Sequence, residues 1–146
     1  MPNDCYNTLS IDANDALIER IMNHVRNEET EFDFEKIIPM PENIYRGNVG
    51  PEERKLYGDN NWYDWSCKHW GTKWNAYDIY TDPGEIYFHT AWNPCVPVIT
   101  ELAKQFPEAS FSYTYDEPGM CFAGEYLYQN GECVCYFDVD YDENCY

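Results

Sequence analysis

Basic side chains are scarce in this chain. Nine Lys and Arg stand against 27 Asp and Glu, a formal net charge of -18 over 146 residues. After Lys104 there is no Lys or Arg at all. Nucleic-acid binding needs cations to displace counterions from phosphate, so direct binding of DNA or RNA is not expected. Docking on an anionic membrane is disfavoured for the same reason. Long apolar runs are also missing, so no transmembrane helix is expected. Met1-Pro2-Asn3-Asp4-Cys5 has neither the basic nor the apolar region of a signal peptide, which points to the cytoplasm of whatever cell makes the chain. No G-x-S-x-G, H-E-x-x-H or P-loop pattern occurs. His24, His69 and His89 have no nucleophile at a recognisable spacing. A non-enzyme with no cofactor is the expectation.

What is present describes a chain that folds. Hydrophobic residues make up 44% and aromatics 18%, which outweighs the charge as an argument about disorder. The length is that of one domain, 1–146, with enough core to stand without disulfides or metal. Seven cysteines, an odd number in a reducing compartment, read as free thiols, mostly small buried hydrophobes.

Hydrophobic spacing predicts a strand over Cys5–Ile11, then a helix capped by Asn14 or Asp12 with Leu17, Ile18, Ile21, Met22 and Val25 on one face. Phe32 to Pro41 reads as a further extended segment ending in a Pro-Met-Pro turn. A short helix is expected around Glu52–Leu56. Another, over Asn61–Gly71, would carry Trp62, Trp65 and Trp70 and stop at Gly71. A strand through Trp74, Ala76, Asp78 and Tyr80 leads to the turn Asp82-Pro83-Gly84 and a strand Glu85–Trp92. Asn93-Pro94 reads as a helix start, followed by Val98, Ile99, Leu102, Ala103 and Phe106 and a stop at Pro107. Strands over Ala109–Tyr115, Met120–Tyr128 and Cys133–Val139 finish the chain, the last two joined at Asn130-Gly131. The order implies an α+β, ferredoxin-like fold: a mostly antiparallel sheet with two main helices on one face, a short Trp-rich helix and extra C-terminal strands.

Trp70-Gly71-Thr72-Lys73-Trp74-Asn75 before a strand, Phe88-His89-Thr90-Ala91-Trp92-Asn93-Pro94 opening a helix, and Ile37-Ile38-Pro39-Met40-Pro41 together resemble the YubB ferredoxin-like family of phage and plasmid proteins. The resemblance runs over residues 5–130 and leaves out the acidic tail after Val139. It implies a ferredoxin-like fold and a mobile-element origin, and it implies no reaction.

Several features invite chemistry and have plainer readings. Trp62, Trp65, Trp70, Trp74 and Trp92 could stack bases, but only Lys68 and Lys73 accompany them, so core packing is expected. His69 between those lysines has no partner residue that would make it an acid or base. Cys133 and Cys135, two apart in a strand, should share a face with Phe137 and Val139. With Cys121 on the paired strand they make at most part of a thiolate site, and core packing is expected instead. Asp138-Val139-Asp140-Tyr141-Asp142-Glu143 imitates the opening of a calcium loop, but Glu143 replaces the required glycine. No metal site is expected.

The C-terminal β region, residues 105–146, carries the strongest signal. It holds nine acids, seven tyrosines and no Lys or Arg. Asp116, Glu117, Glu125, Glu132, Asp138, Asp140, Asp142 and Glu143 would lie on one three-stranded surface. There, Tyr136, Asp138 and Asp140 would face away from Cys135, Phe137 and Val139. One-signed clustering repels itself and lacks the interspersed lysines of an ordinary surface. Such a surface imitates the phosphates of nucleic acid. The expected partner is therefore a basic nucleic-acid-binding host protein, such as a CRISPR effector or restriction nuclease, which the chain would inhibit. The alternatives are a generic interaction module whose acidity serves solubility, and a small-ligand binder or enzyme using the Trp-rich region. An edge strand also allows pairing with a second copy.

Overall fold

The computed structural model describes residues 2–141. Six strands form one antiparallel sheet: β1 (Asp4–Asp12), β2 (Tyr77–Asp82), β3 (Glu85–Ala91), β4 (Ser110–Glu117), β5 (Phe122–Gln129) and β6 (Glu132–Asp140), in the order β2-β3-β1-β4-β5-β6. Helices α1 (Asp15–His24) and α4 (Val96–Gln105) are the crossovers after β1 and β3. Strands β1 to β4 with these two helices make the ferredoxin-like unit, and the β5–β6 hairpin extends its sheet beyond β4. Short helices α2 (Pro51–Tyr57) and α3 (Trp62–His69) lie in the long connection between α1 and β2.

Local chemistry sets the elements. The Asn14 side chain accepts the Leu17 N–H and opens α1, whose Ile21 and Val25 are buried. His24 at its end meets Gln105 of α4 at 3.1 Å, so both helices cover the same face. Gly84 (φ 80) completes the β2–β3 turn and Asn130 (φ 54) with Gly131 (φ 80) the β5–β6 turn, as the sequence signals require. Gly124 lets the Tyr115 ring lie on β5: a Cβ there would stand 2.2 Å from the Tyr115 hydroxyl oxygen.

The core lies between the sheet and the helices. Leu9, Ile86, Phe88, Ile99, Leu102, Phe111 and Tyr113 are buried, joined from the connection by Phe32, Phe34, Trp65 and Trp70. A polar knot sits inside it. Asn7 Nδ2 donates to Thr90 Oγ1 at 3.0 Å and to the Cys5 carbonyl at 3.0 Å. Cys95 N–H donates to the Tyr113 hydroxyl at 3.0 Å. Burial pushes the thiols of Cys5 and Cys95 up to about 12.

Four sequence expectations are corrected. Phe32 to Pro41 is no strand. Asp33 caps a single 3-10 turn over Phe34–Lys36, and Phe34 N–H donates to Asn75 Oδ1, so both buried rings are placed without a ladder. Strand β2 starts at Tyr77, because Asn75 is already engaged with Phe34, Asp33 and Ala76. Helix α4 starts at Val96 with Pro97 in its first turn. The Asn93 carbonyl accepts from Thr90 and the Cys95 N–H is held by Tyr113, which keeps Asn93–Cys95 out of the helix. Cys133, Cys135, Phe137 and Val139 are exposed rather than core: β6 is the sheet's outer strand, and its residues are exposed on both faces.

Candidate interaction surface

The helices and the long connection pack on one face of the sheet. The other face is open. Register fixes what it presents, because directly paired residues share a face. One row runs Tyr77, His89, Tyr6, Asp116, Ala123, Val139. The next runs Tyr80, Tyr87, Thr8, Thr114, Glu125, Phe137, and a third Asp82, Glu85, Ser10, Ser112, Leu127, Cys135. The β2-β3-β1 side is thus tyrosine-rich, the centre carries hydroxyls, and the β5-β6 side is apolar apart from Glu125.

Charge is divided by layer. All nine Lys and Arg lie in helices or connections; the six strands hold eleven Asp and Glu and not one Lys or Arg. Five open-face carboxylates are held by neutral hydroxyls. Tyr77 donates to Asp4 at 2.5 Å, Tyr141 to Asp116 at 2.8 Å, Tyr80 to Asp82 at 3.4 Å, Ser112 to Glu125 at 3.5 Å, and Tyr87 to Glu85. A hydroxyl orients a carboxylate and leaves its charge in place, whereas a lysine would cancel it. Tyr77 and Tyr87 remain donors at neutral pH. Burial and the bond to Asp4 push Tyr77 well up, and the bond to Glu85 followed by desolvation raises Tyr87. His89 sits between Tyr6 (4.7 Å, edge-on) and Tyr77 (5.8 Å, edge-on), with Nδ1 3.1 Å from Asp78.

The structure separates the acids that the sequence places on one surface. Asp116 and Glu125 are on the open face. Asp138 and Asp140 pair with Gly124 and Phe122 and lie on the opposite, helix-side face; Glu132 is at the β5–β6 hairpin. Glu117 is fully buried, with Oε1 accepting the Gly119 N–H and Oε2 without a partner, so it cannot touch a partner protein. Asp142 and Glu143 lie outside the described residues. Sequence reasoning missed Asp4, Asp82, Glu85, Tyr77, Tyr80 and Tyr87. The alternation Glu85-Tyr87-His89 was the available signal, since its neighbours Ile86 and Phe88 are the buried set.

The remaining candidates have structural roles. Trp65 and Trp70 are core, and Trp70 Nε1 donates to the Ile38 carbonyl. Trp74 (37% exposed) and Trp92 (39% exposed) are not, which corrects the core reading for these two. Trp74 carries Lys73 over its ring at 4.4 Å and lines a shallow apolar depression with Pro2, Asp4, Asn75 and Tyr77. His69 stacks on Trp65. Cys133 and Cys135 do not share a face: a bulge between the Leu127 and Tyr128 pairings puts Cys133 beside Tyr128 and Cys135 beside Leu127. Among the described residues no three His, Cys, Asp or Glu side chains are grouped to hold a metal, and no helix is long and apolar enough to cross a membrane.

Comparisons with known proteins agree with the fold. The crystal structure of Api92 from Yersinia pseudotuberculosis is similar over 75% of this chain, at a TM-score of 0.54 and 19% identity. The chain spans 40% of the length of that protein. No curated protein matches the chain. Residues 69–146, from the end of α3 onward, match the family model described as the ferredoxin-like domain in Api92-like protein. The fold implied by the YubB resemblance is the fold found, and the family matched is the Api92-like one. The chain belongs to the family of Api92-like proteins, whose ferredoxin-like domain model matches residues 69–146.

Proposed function

We propose that this chain is a non-enzymatic binding domain whose open sheet face takes a basic, nucleic-acid-binding partner protein in place of that partner's nucleic acid. The observation that carries this reading is the set of open-face carboxylates held by tyrosine and serine hydroxyls on a sheet without a Lys or Arg. Ferredoxin-like domains that bind RNA use aromatic rings on this same sheet face, with cations to hold the phosphates. Here the rings are kept and the sign of the charge is reversed, so nucleic acid is repelled and a cationic groove is attracted. Tyrosine supports the same reading, since it gives large contact area at low entropic cost. The mobile-element setting implied by the YubB resemblance makes a host defence nuclease, such as a CRISPR effector or a restriction enzyme, the partner class of choice, with inhibition as the result.

The test is mutual displacement. Basic proteins retained from a host lysate on immobilised chain at low salt are purified and challenged with duplex DNA and single-stranded RNA. The reading requires the chain and the nucleic acid to exclude one another, and affinity to fall steeply as ionic strength rises. Partners that hold both together without competition overturn it.

A further inference from the structure

The two edges of the sheet are unlike. Strand β2 is short and interrupted by a bulge between Tyr77 and Tyr80, with Asp78 at φ 51, which spoils it as a template. Strand β6 runs nine residues, and its stretch Cys135–Asp140 pairs with β5 in unbroken register. It contains no proline and no lysine, the usual protections of an edge. No described strand pairs with its outer side. Its side chains are also out of place for a solvated edge: Phe137 is 52% and Val139 49% exposed. They continue the apolar strip of Leu127 and Ala123 on the open face, while Tyr136, Asp138 and Asp140 line the helix-side face of the same strand.

We infer that β6 receives an extended segment of a partner, in which apolar residues alternate with Lys or Arg. Strand addition satisfies the unpaired N–H and C=O groups of the edge, and alternate side chains then meet alternate faces. Apolar residues of the added strand fall beside Phe137 and Val139, and its cations beside Asp138 and Asp140. Charge selects this occupant over a second copy of the chain, which would bring another -18 to the same edge. The inference rests on the cationic-partner reading above and adds where and in what conformation part of the partner binds.

The experiment uses the full chain and a synthetic nine-residue peptide of alternating Val and Lys, with hydrogen exchange of the β6 amides and a titration as readouts. Binding should protect the Cys135–Asp140 amides. N-methylation of one alternate set of peptide amides should weaken binding by about tenfold or more, and methylation of the other set should leave it intact. Phe137→Ser with Val139→Ser, at exposed positions, should weaken it similarly without unfolding the chain. Equal binding of a scrambled peptide, or equal effects of both methylation sets, overturns strand addition while leaving the cationic-partner reading standing. Equal binding of a neutral Val–Thr peptide overturns the partner class and that reading with it. A chain that dimerises and protects the same amides assigns the edge to a second copy and overturns the inference.

Discussion

Tyr113 donates its hydroxyl to Asn7 Oδ1 at 2.5 Å in the middle of the core, and the same hydroxyl accepts the Cys95 N–H that precedes α4. One buried phenol thus joins β4, β1 and the start of the second crossover helix. Tyr113→Phe removes the hydroxyl, leaves the buried Cys95 N–H unpaired and leaves Asn7 Oδ1 only the Cys5 thiol at 4.0 Å. The expected cost is about 1–3 kcal/mol for each group left unsatisfied. Chemical denaturation measures it, and unchanged stability would mean that the knot holds nothing.

Leu102 is fully buried on α4. Leu102→Ala should cost about 2–5 kcal/mol, by lost transfer energy and a residual cavity. The denaturation midpoint should fall without a change in slope. A loss near zero would contradict the facing of α4.

Glu117 gives a pH dependence of definite sign. Desolvation raises its folded-state pKa above that of the unfolded chain. The charged form is therefore disfavoured in the fold. Below the ordinary carboxylate range Glu117 costs nothing as an acid, and as pH rises through its raised value stability is lost. Glu117→Gln keeps an acceptor for the Gly119 N–H and removes the charge. The variant should gain stability over the parent as pH rises to neutral, because its amide carries no charge to desolvate. The gain should shrink as pH falls toward the ordinary carboxylate range. Denaturation curves at several pH values test this, and a gain that persists in acid would contradict it.

The thiols should divide by exposure. Cys67, Cys133 and Cys135 are exposed, whereas Cys5 and Cys95 are buried with thiols pushed up to about 12. Thiolate is the reactive form, so the buried pair should resist labelling in the native state and react only on unfolding. Partial desolvation also raises Cys67, which should make it slower than its exposure alone implies. Mass spectrometry of a timed labelling series resolves each site. Rapid modification of Cys95 would contradict the placement of α4.

The elements that could be read from the sequence were those fixed by neighbours along the chain. The Asn14 cap, the 3.6-residue spacing of α1 and the Asn130-Gly131 turn are local signals, and each lies where its signal puts it. The failures involve distant partners. The alternation of Phe32 and Phe34 looks like a strand until Asn75, 41 residues on, takes the Phe34 N–H. Likewise the Asn93-Pro94 start gives way because Tyr113, 18 residues on, accepts the Cys95 N–H, while Thr90 donates to the Asn93 carbonyl. For the candidate surface, alternation in β6 correctly sorted Phe137 from Asp138, but not which set faces the helices or that the helix layer leaves both exposed. The excess of acid was legible; its division between two faces depends on strand order, which spacing does not encode.

Charge reversal on a chosen face tests whether the position of the acids matters or only their number. Asp82 and Glu125 lie on the open face, on β2 and β5. Glu28 and Glu29 are exposed in the connection after α1, on the helix side. Asp82→Lys with Glu125→Lys, and Glu28→Lys with Glu29→Lys, change net charge equally. The first pair should slow association with a basic partner and flatten its dependence on salt, since complementary charge acts on the on-rate. The second pair should leave association close to that of the parent, because screening confines each charge to about 10 Å at 0.1 M salt. Both variants should fold, as relieving like-charge repulsion is not destabilising at the exposed Asp82, Glu28 and Glu29, and half-buried Glu125 gives up only a 3.5 Å bond from Ser112. Association kinetics at two salt concentrations, with displacement of labelled DNA from the same partner, provide the measurement. Equal slowing by the two pairs would reduce the effect to net charge and remove the open face from the mechanism. No slowing by either would leave the acids of the sheet as a solvated surface.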